Sequence, residues 1–151
     1  MNITLTPVAY VKNSRKEPID DGWAEIVSEI ILADNMPTEV FNGILEFSYL
    51  EIIYYFDQVN DKDIIYSGYP RGNTSYPNVG IFAQRKKDRP NKIGVCVVNL
   101  VEQKERSLIV KYLDAIDATP ILDIKPIFKE YLPKGTISQP KWVNHLMQKY
   151  W

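Results

Sequence analysis

Residues 85–92, called the basic loop below, read RKKDRPNK and carry five basic side chains in a chain whose net charge is −1. Pro90 fixes its own φ and disfavours helical geometry at Arg89, so Arg89 is predicted to be extended. Asn91 tolerates turn conformations and offers both hydrogen-bond donors and an acceptor. The guanidinium forks of Arg85 and Arg89 would suit a carboxylate or a phosphate. On composition alone, a connector whose charges face water is the commoner explanation.

Residues 112–126, called the acidic segment below, read YLDAIDATPILDIKP and contain Asp114, Asp117 and Asp123. A carboxylate after an apolar strand can accept hydrogen bonds from ribose hydroxyls or an amino group, or lie near a cation. Asp114 and Asp117 could also be metal ligands, but no clustered set of partners accompanies them, so no metal is predicted. The alternative is turn chemistry, because Asp-Ala-Thr-Pro initiates turns well.

Aromatic side chains form a third group that is dense enough to bind a ligand. Flat rings stack on nucleobases, although packing in a core or an interface is their commoner use. The group comprises Tyr49, Tyr54, Tyr55, Phe56, Tyr66, Tyr69 and Tyr76. His145 is the sole histidine and no nucleophile accompanies it, so we expect a structural role. Cys96 lies in an apolar run, which predicts a buried, inert thiol.

Length and composition set limits on the kind of protein. The 151 residues fit one domain spanning 1–151. The single cysteine excludes an internal disulfide, and the absence of a signal peptide or long apolar run predicts a cytoplasmic protein without membrane contact. A net charge of −1 argues against a general nucleic-acid binder, so no DNA partner is expected and any RNA contact must come from local patches.

Hydrophobic periodicity predicts a mainly β chain. Predicted strands cover 3–11, 23–32, 50–56, 79–85, 93–101 and 107–116, and the last two form a hairpin. Residues 119–128 read as a further strand, confined by Pro120 and Pro126 to an edge or irregular position. A short helix is predicted to begin near residue 36, capped by Thr38, with Val40, Phe41, Ile44 and Leu45 on one face. A second helix is predicted over 139–151. This order favours a small antiparallel β-barrel or sandwich with two short helices.

Three stretches resemble the TsaA-domain family, which includes the TrmO-type tRNA methyltransferases. They are GIFAQRKKDRPNKIG (80–94), LDAIDATPILDIKPI (113–127) and LEFSYLEIIYYFDQ (45–58), and RKEPIDDGW (15–23) and QPKW (139–142) also match. The resemblance implies a small β-barrel that binds S-adenosylmethionine and works as a homodimer, with its site near the subunit interface. It also implies tRNA as the partner and N6 of threonylcarbamoyladenosine beside the anticodon as the methyl acceptor.

The resemblance assigns residues to the site position by position. Cofactor contacts are expected at Asp57, Gln58, Arg85, Arg89, Asn91, Val95, Asp114 and Asp117. Substrate contacts are expected at Arg15, Lys16, Tyr49, Asp123 and Lys125. No catalytic base is nominated, because methyl transfer depends on alignment more than on a strong base.

The chain departs from the family pattern at positions that bear on activity. Lys92 replaces a proline, which should add charge and loosen the basic loop. Ala118 replaces a glycine, which would be costly if the position needs a positive φ. Tyr49 replaces a histidine. These departures leave two alternatives: a methyltransferase with a small-molecule acceptor, or a non-catalytic module that binds S-adenosylmethionine.

Overall fold

The computed structural model describes all residues, 1–151, and its main feature is a closed barrel of six antiparallel strands. The eight strands are β1 (Ala9–Lys12), β2 (Val27–Leu32), β3 (Tyr49–Tyr55), β4 (Ser67–Gly68), β5 (Val79–Gly80), β6 (Ile93–Gln103), β7 (Ser107–Lys111) and β8 (Pro120–Pro126). The order around the barrel is β1-β2-β7-β6-β3-β8, and β4 pairs with β5 outside it. The predicted mainly β, antiparallel barrel is therefore confirmed.

Single turns of 3-10 helix and one α-helix complete the fold. The 3-10 turns are Thr38–Phe41, Ile44–Glu46, Asp61–Asp63, Pro70–Gly72, Ile81–Ala83, Pro90–Lys92 and Lys129–Tyr131, and helix α1 is Lys141–Leu146. No helix combines the length and the apolar character that crossing a bilayer requires.

Every second side chain of the long strands points into the barrel and fills it. Along β3, Leu50, Ile52 and Tyr54 point inward and are almost fully buried. On β6, Cys96 and Val98 face them from the neighbouring strand. Because a strand presents successive side chains to opposite faces, this pattern fixes the register of β3 and β6.

Two predicted strands are shorter than their apolar patterns suggested. The strand predicted over 3–11 begins at Ala9, and the strand predicted over 23–32 begins at Val27. Ala9 pairs with Leu32, the last residue of β2, and only the Val8 carbonyl just before it still accepts from the Ala33 amide, at 2.9 Å. Val27 likewise pairs with Lys111, the last residue of β7. Pairing, rather than local pattern, sets these ends.

The prolines of β8 do not confine it to an edge, so that part of the prediction was wrong, although its pairing with β3 is irregular between Ile53 and Tyr54. β8 pairs with β1 on one side and with β3 on the other. Pro120 and Pro126 are its first and last residues. A proline at a strand end removes a donor where the ladder is ending anyway, so both neighbours can still pair with the residues between.

The strand predicted over 79–85 was also largely wrong. β5 ends at Gly80 and the chain continues as a 3-10 turn over Ile81–Ala83. The hairpin of β6 and β7 is confirmed, but β7 ends at Lys111 instead of residue 116. Tyr112 has a φ of 65°, a left-handed conformation that a strand cannot contain.

The helical segment predicted near residue 36 consists of two separate 3-10 turns. Gly43 stands between them at a φ of 80°, and a left-handed residue ends a helix. Thr38 caps nothing with its side chain. Phe41 is buried, but Val40 and Leu45 are exposed, so the predicted common face does not exist.

The C-terminal segment docks on the barrel through its backbone. The amides of Gly22 and Trp23 donate to the carbonyls of Lys149 and Tyr150, each at 2.9 Å. The helix itself is shorter than predicted and ends at Leu146. The docked tail brings Tyr150 to the end of the barrel where the cavity described next is found.

Candidate cofactor site

A cavity of about 220 Å³ opens where β3 ends and β6 begins. Its lining combines two arginines, one aspartate, one glutamine, three aromatic rings and three apolar or small residues: Tyr54, Phe56, Phe82, Gln84, Arg85, Arg89, Ile93, Gly94, Val95 and Asp114. The basic loop and the acidic segment therefore meet at one cavity within a single chain.

Two guanidinium groups form the basic end of the cavity. Arg85 donates through Nη2 to the carbonyl of Val95, and Arg89 donates through Nη1 to the carbonyl of Gln84 at 2.9 Å. The ion pairs made by this loop involve its lysines instead. Both guanidinium charges thus lack a carboxylate partner, and each retains donors for an anionic group.

The Asp114 carboxylate forms the acidic end of the cavity. Its Oδ1 accepts a hydrogen bond from the Tyr54 hydroxyl at 2.7 Å, and its Oδ2 accepts one from the Tyr150 hydroxyl. Burial and the nearby Asp114 charge raise the pKa of both tyrosines well above the usual value. Both hydroxyls therefore stay protonated and act as donors at neutral pH.

Gly94 is required because the Tyr54 ring lies directly against it. A Cβ at residue 94 would stand 2.3 Å from the ring, well inside van der Waals contact. The two residues are cross-strand partners in β3 and β6. The missing side chain thus makes room for the ring whose hydroxyl holds Asp114.

Apolar groups lie between the two charged ends. Phe56 packs edge-on against Tyr54, with ring centroids 5.3 Å apart. Phe82 is 85% exposed and Ile93 also faces solvent, so both present apolar surface at the cavity. A ligand with a charged zwitterionic end and a flat or apolar part matches this arrangement.

The basic loop has the local geometry that its sequence predicts. Arg89 is extended, with φ −118° and ψ 154°, and Asn91 adopts a positive φ of 63°. Both predictions are confirmed. Lys92 does not loosen the loop: its Nζ donates to the carbonyl of Val59 at 2.8 Å and pairs with Asp61 at 2.6 Å. That prediction was wrong, because the lysine ties the loop to the segment after β3.

Four of the expected cofactor residues lie outside the cavity lining. Asp57 and Gln58 are exposed in the turn after β3, and Asn91 is exposed in the basic loop. Asp117 accepts from the amide of Asn13 at 2.9 Å and pairs with Lys16. The Lys16 hydrogen bond lowers the pKa of Asp117. Because both of its oxygens are occupied by Asn13 and Lys16, Asp117 holds the chain around residue 13.

The expected substrate residues are distributed over the surface. Arg15 donates to the carbonyls of Ile19, Asp21 and Gly22 and stacks 4.5 Å over the Trp23 ring. It thereby shapes the loop that receives the C-terminal tail.

The remaining substrate residues form separate local contacts. Lys16 pairs with Asp117, and Lys125 pairs with Asp123 on β8. Tyr49 is half-exposed at the start of β3. None of them lines the cavity, and their roles stay predictions.

Several lining residues escaped the sequence analysis. Tyr54 belonged to the aromatic group but carried no assigned role. Tyr150, which contacts Asp114 without lining the cavity, lay within the helix predicted over 139–151 and also carried no assigned role. Phe82 and Gln84 precede Arg85 within the family-like motif, which was the available signal. Gly94 closes the same motif, and its need for close approach depends on a cross-strand partner.

Other candidate residues behave as structural groups. Cys96 is buried, as predicted, and its thiol donates to the Tyr112 carbonyl at 3.0 Å. Burial raises the pKa of this thiol, and its inertness stays a prediction. Ala118 has a φ of 65°, the conformation in which a glycine is favoured. His145 meets the Tyr76 hydroxyl at 2.6 Å beside a separate cavity of about 320 Å³. No group of three or more His, Cys, Asp or Glu side chains is arranged to hold a metal ion.

The chain is thus a closed antiparallel β-barrel in which a cavity at the end of β3 lies between two guanidiniums without carboxylate partners and a carboxylate held by tyrosines. Residues 8–132 match the family model described as the tRNA-methyltransferase O N-terminal domain. The chain belongs to this family.

Relatives agree with that assignment. A probable S-adenosyl-L-methionine-binding protein of Pyrococcus abyssi is 32% identical over 140 residues, covering 85% of this chain and 70% of the relative. A tRNA (adenine(37)-N6)-methyltransferase of Escherichia coli is 33% identical over 114 residues, covering 72% of this chain and 48% of the relative.

A solved structure shares the fold. The crystal structure of TrmO from Pseudomonas aeruginosa superposes with a TM-score of 0.74 at 23% identity and covers 91% of this chain. This chain spans 61% of the length of that solved protein.

Proposed function

We propose that this protein binds S-adenosylmethionine in the cavity at the end of β3 and transfers its methyl group to a modified adenosine in tRNA. The observation that carries the proposal is the meeting of Arg85, Arg89 and Asp114 at one cavity. Relatives named as S-adenosyl-L-methionine-binding proteins and as a tRNA (adenine(37)-N6)-methyltransferase support the choice of ligand and acceptor.

The chemistry of the lining fits the parts of this cofactor. S-adenosylmethionine carries a carboxylate, an ammonium, a sulfonium, a ribose diol and a flat adenine. The unpaired guanidiniums of Arg85 and Arg89 suit the carboxylate, since bidentate pairing is strongest with such planar anions. Asp114 suits a cationic group or the ribose hydroxyls. Phe56 and Phe82 offer apolar faces to the remainder.

The chain contributes binding and orientation to the reaction. When bound, the cofactor supplies an electrophilic methyl group. Holding the acceptor nitrogen in line with that group can provide much of the rate without a strong base. The tyrosine hydroxyls stay protonated through the neutral range, so they serve as donors and not as bases. No catalytic base is assigned.

Binding calorimetry with S-adenosylmethionine tests the cofactor site. We expect Arg85→Ala to weaken binding by roughly 10- to 100-fold, since a hydrogen bond to a charged group contributes about 1.5–3 kcal/mol. Lys86→Ala is the matched control, because Lys86 neighbours Arg85 but pairs with Asp88 and does not line the cavity. Equal affinity of both variants and the wild type would remove Arg85 from the site, and no heat at millimolar ligand would refute the proposal.

Label transfer tests the acceptor. Cofactor labelled in its methyl group is incubated with the protein and either total tRNA or an extract of small metabolites. We expect label in tRNA, at N6 of the threonylcarbamoylated adenosine beside the anticodon. The net charge of −1 favours a small-molecule acceptor as the alternative, and label only in the extract would establish it.

A non-catalytic module that binds S-adenosylmethionine is the second candidate. The printed name of the Pyrococcus abyssi relative, which describes binding alone, favours it. Tyr49 at the family's histidine position also favours it. Measurable binding with no label in tRNA or in the extract would decide for this candidate.

We also propose that the protein is a cytoplasmic homodimer. The outer face of β6 carries the exposed apolar side chains Ile93, Val97 and Val101, and Tyr49 is exposed on the neighbouring β3. Such a face is typical of an interface. Val95 belongs to the same outer row and lines the cavity, so a partner seated there would lie beside the cofactor. Sedimentation should give twice the chain mass, and Val97→Arg should give the monomer.

A further inference from the structure

Tyr150 reaches the candidate cofactor site from a part of the chain beyond the residues that match the family model, 8–132. Its hydroxyl donates to Oδ2 of Asp114, while Tyr54 donates to Oδ1 of the same carboxylate. Both carboxylate oxygens are therefore held, by donors from two separate elements.

We propose that Tyr150 is a positioning residue that holds the Asp114 carboxylate in the orientation needed to bind the cofactor. This inference rests on the proposed function. A carboxylate held at one oxygen can still turn about its terminal torsion, which is broad and lacks sharp wells. A second donor at the other oxygen fixes the plane of the group, and hydrogen bonds to a charged acceptor are among the stronger ones.

The two donors are themselves held rigidly. The Tyr54 ring is seated against Gly94 and packs edge-on against Phe56. The Tyr150 ring packs edge-on against Trp151, with centroids 4.9 Å apart, and the Tyr150 carbonyl accepts from the amide of Trp23. Asp114 is thus fixed between a ring from the barrel and a ring from the docked tail.

The competing explanation is that the Tyr150 hydroxyl only tethers the tail. Other contacts already dock this segment, namely the bond from Gly22 to the Lys149 carbonyl and the contact between Tyr76 and His145. Removing the Tyr150 hydroxyl leaves these contacts and the Tyr150 carbonyl bond in place. The hydroxyl can therefore be tested separately from docking.

Calorimetric titration with S-adenosylmethionine provides the test. Tyr150→Phe keeps the ring and removes the hydroxyl, and we expect the Kd to rise about tenfold, which corresponds to about 1.4 kcal/mol. Tyr76→Phe is the matched control, because it removes a tail-docking hydroxyl that does not touch Asp114, and its Kd should stay within about twofold of the wild type. An unchanged Kd for Tyr150→Phe, or equal increases in both variants, would overturn the inference.

A double-mutant cycle separates positioning from a general structural effect. Asp114→Ala should weaken binding by itself, and adding Tyr150→Phe should then change the Kd by less than about twofold, since the group on which Tyr150 acts is gone. If adding Tyr150→Phe to Asp114→Ala raised the Kd by a further tenfold or so, the inference would be contradicted.

The titration also distinguishes failures of different kinds. An irreversibly misfolded fraction of a variant lowers the fitted stoichiometry and leaves the Kd intact, whereas reversible unfolding raises the apparent Kd. The titrations are therefore made at a temperature at which thermal melts show every variant to be fully folded. Failure of the wild type to bind would reject the proposed function, and the inference with it. Wild-type binding with an unaffected Tyr150→Phe variant would reject the inference alone.

Discussion

The basic loop and the acidic segment meet at one cavity but reach it by different means. In the basic loop, Lys86 and Lys87 pair with Asp88, and the two arginines are held by backbone carbonyls. In the acidic segment, Asp114 is half-buried and both of its oxygens are held by tyrosine side chains. The basic end thus depends on a loop for its geometry, and the acidic end depends on the barrel and the docked tail.

The two segments also share a feature, which is that most of their charges hold the chain and few face the cavity. Lys92 anchors the basic loop to Asp61, and Asp117 anchors the acidic segment to Asn13 and Lys16. Each charged segment thus contains side chains that anchor the backbone as well as side chains that face the cavity. Four substitutions test how the two segments are held in place, from the largest expected effect to the smallest.

Gly94→Ala should lower the stability most, because it displaces Tyr54, the barrel residue that holds Asp114. The added Cβ would stand 2.3 Å from the Tyr54 ring, which must move. Overpacking of this kind costs about 3 kcal/mol at its upper range, and the Tm should fall by about 10 °C for a domain of this size. Differential scanning calorimetry measures the shift.

Gly80→Ala is the control for this change. Its Cβ would meet its nearest neighbour, the Tyr66 carbonyl oxygen, at 3.9 Å, which is ordinary contact. A Tm change of similar size in both variants would show that the Tyr54 contact does not limit residue 94.

Lys92→Pro restores the residue that the family pattern has and should nevertheless destabilise the protein. Lys92 has a φ of 51°, which a proline ring cannot adopt, and its amide donates to the Arg89 carbonyl at 3.0 Å. The Tm should fall by about 6 °C. Lys92→Ala keeps the amide and should lower the Tm less. A Tm of Lys92→Pro above that of the wild type would mean that the loop readily takes the family conformation.

Ala118→Gly should stabilise the acidic segment. Ala118 is an exposed residue at a φ of 65°, where an alanine is disfavoured by about 1 kcal/mol or more and a glycine is not. The Tm should rise by about 3 °C. Ala83→Gly changes an exposed residue without a positive φ and should lower the Tm instead. A lower Tm in both variants would refute the strain at residue 118.

Asp88→Asn should have the smallest effect and change mainly the response to acid. Burial acts to raise the pKa of Asp88, but the hydrogen bonds and charges of Lys87 and Lys86 outweigh it and lower the pKa. The stabilisation is therefore present above the unfolded pKa of about 4 and is lost as the pH falls through the lower folded value.

Ion pairs of this kind contribute less than about 1 kcal/mol, so the Tm at neutral pH should fall by about 1–3 °C. Scans at stepwise lower pH should show the difference from the wild type shrinking below about pH 4. A difference that grows in acid would contradict the assigned direction.

Local sequence was sufficient for features that depend on near neighbours. The β-branched and aromatic run of β3 and the apolar run of β6 predicted strands, and Pro90 predicted the extended Arg89. These two inferences work because side-chain chemistry and ring constraints act over a few residues. The resemblance to the TsaA-domain family, and no local pattern, implied that Arg85 and Asp114 belong to one site, and both line one cavity.

What the tertiary structure alone decided was which of these groups act together. The strand ends at Ala9 and Val27 depend on where the partner strands stop. Tyr54 and Tyr150 meet at Asp114 because barrel register and tail docking bring distant parts of the chain together. Such contacts depend on how strands pair and pack across the whole domain, and no local pattern encodes them.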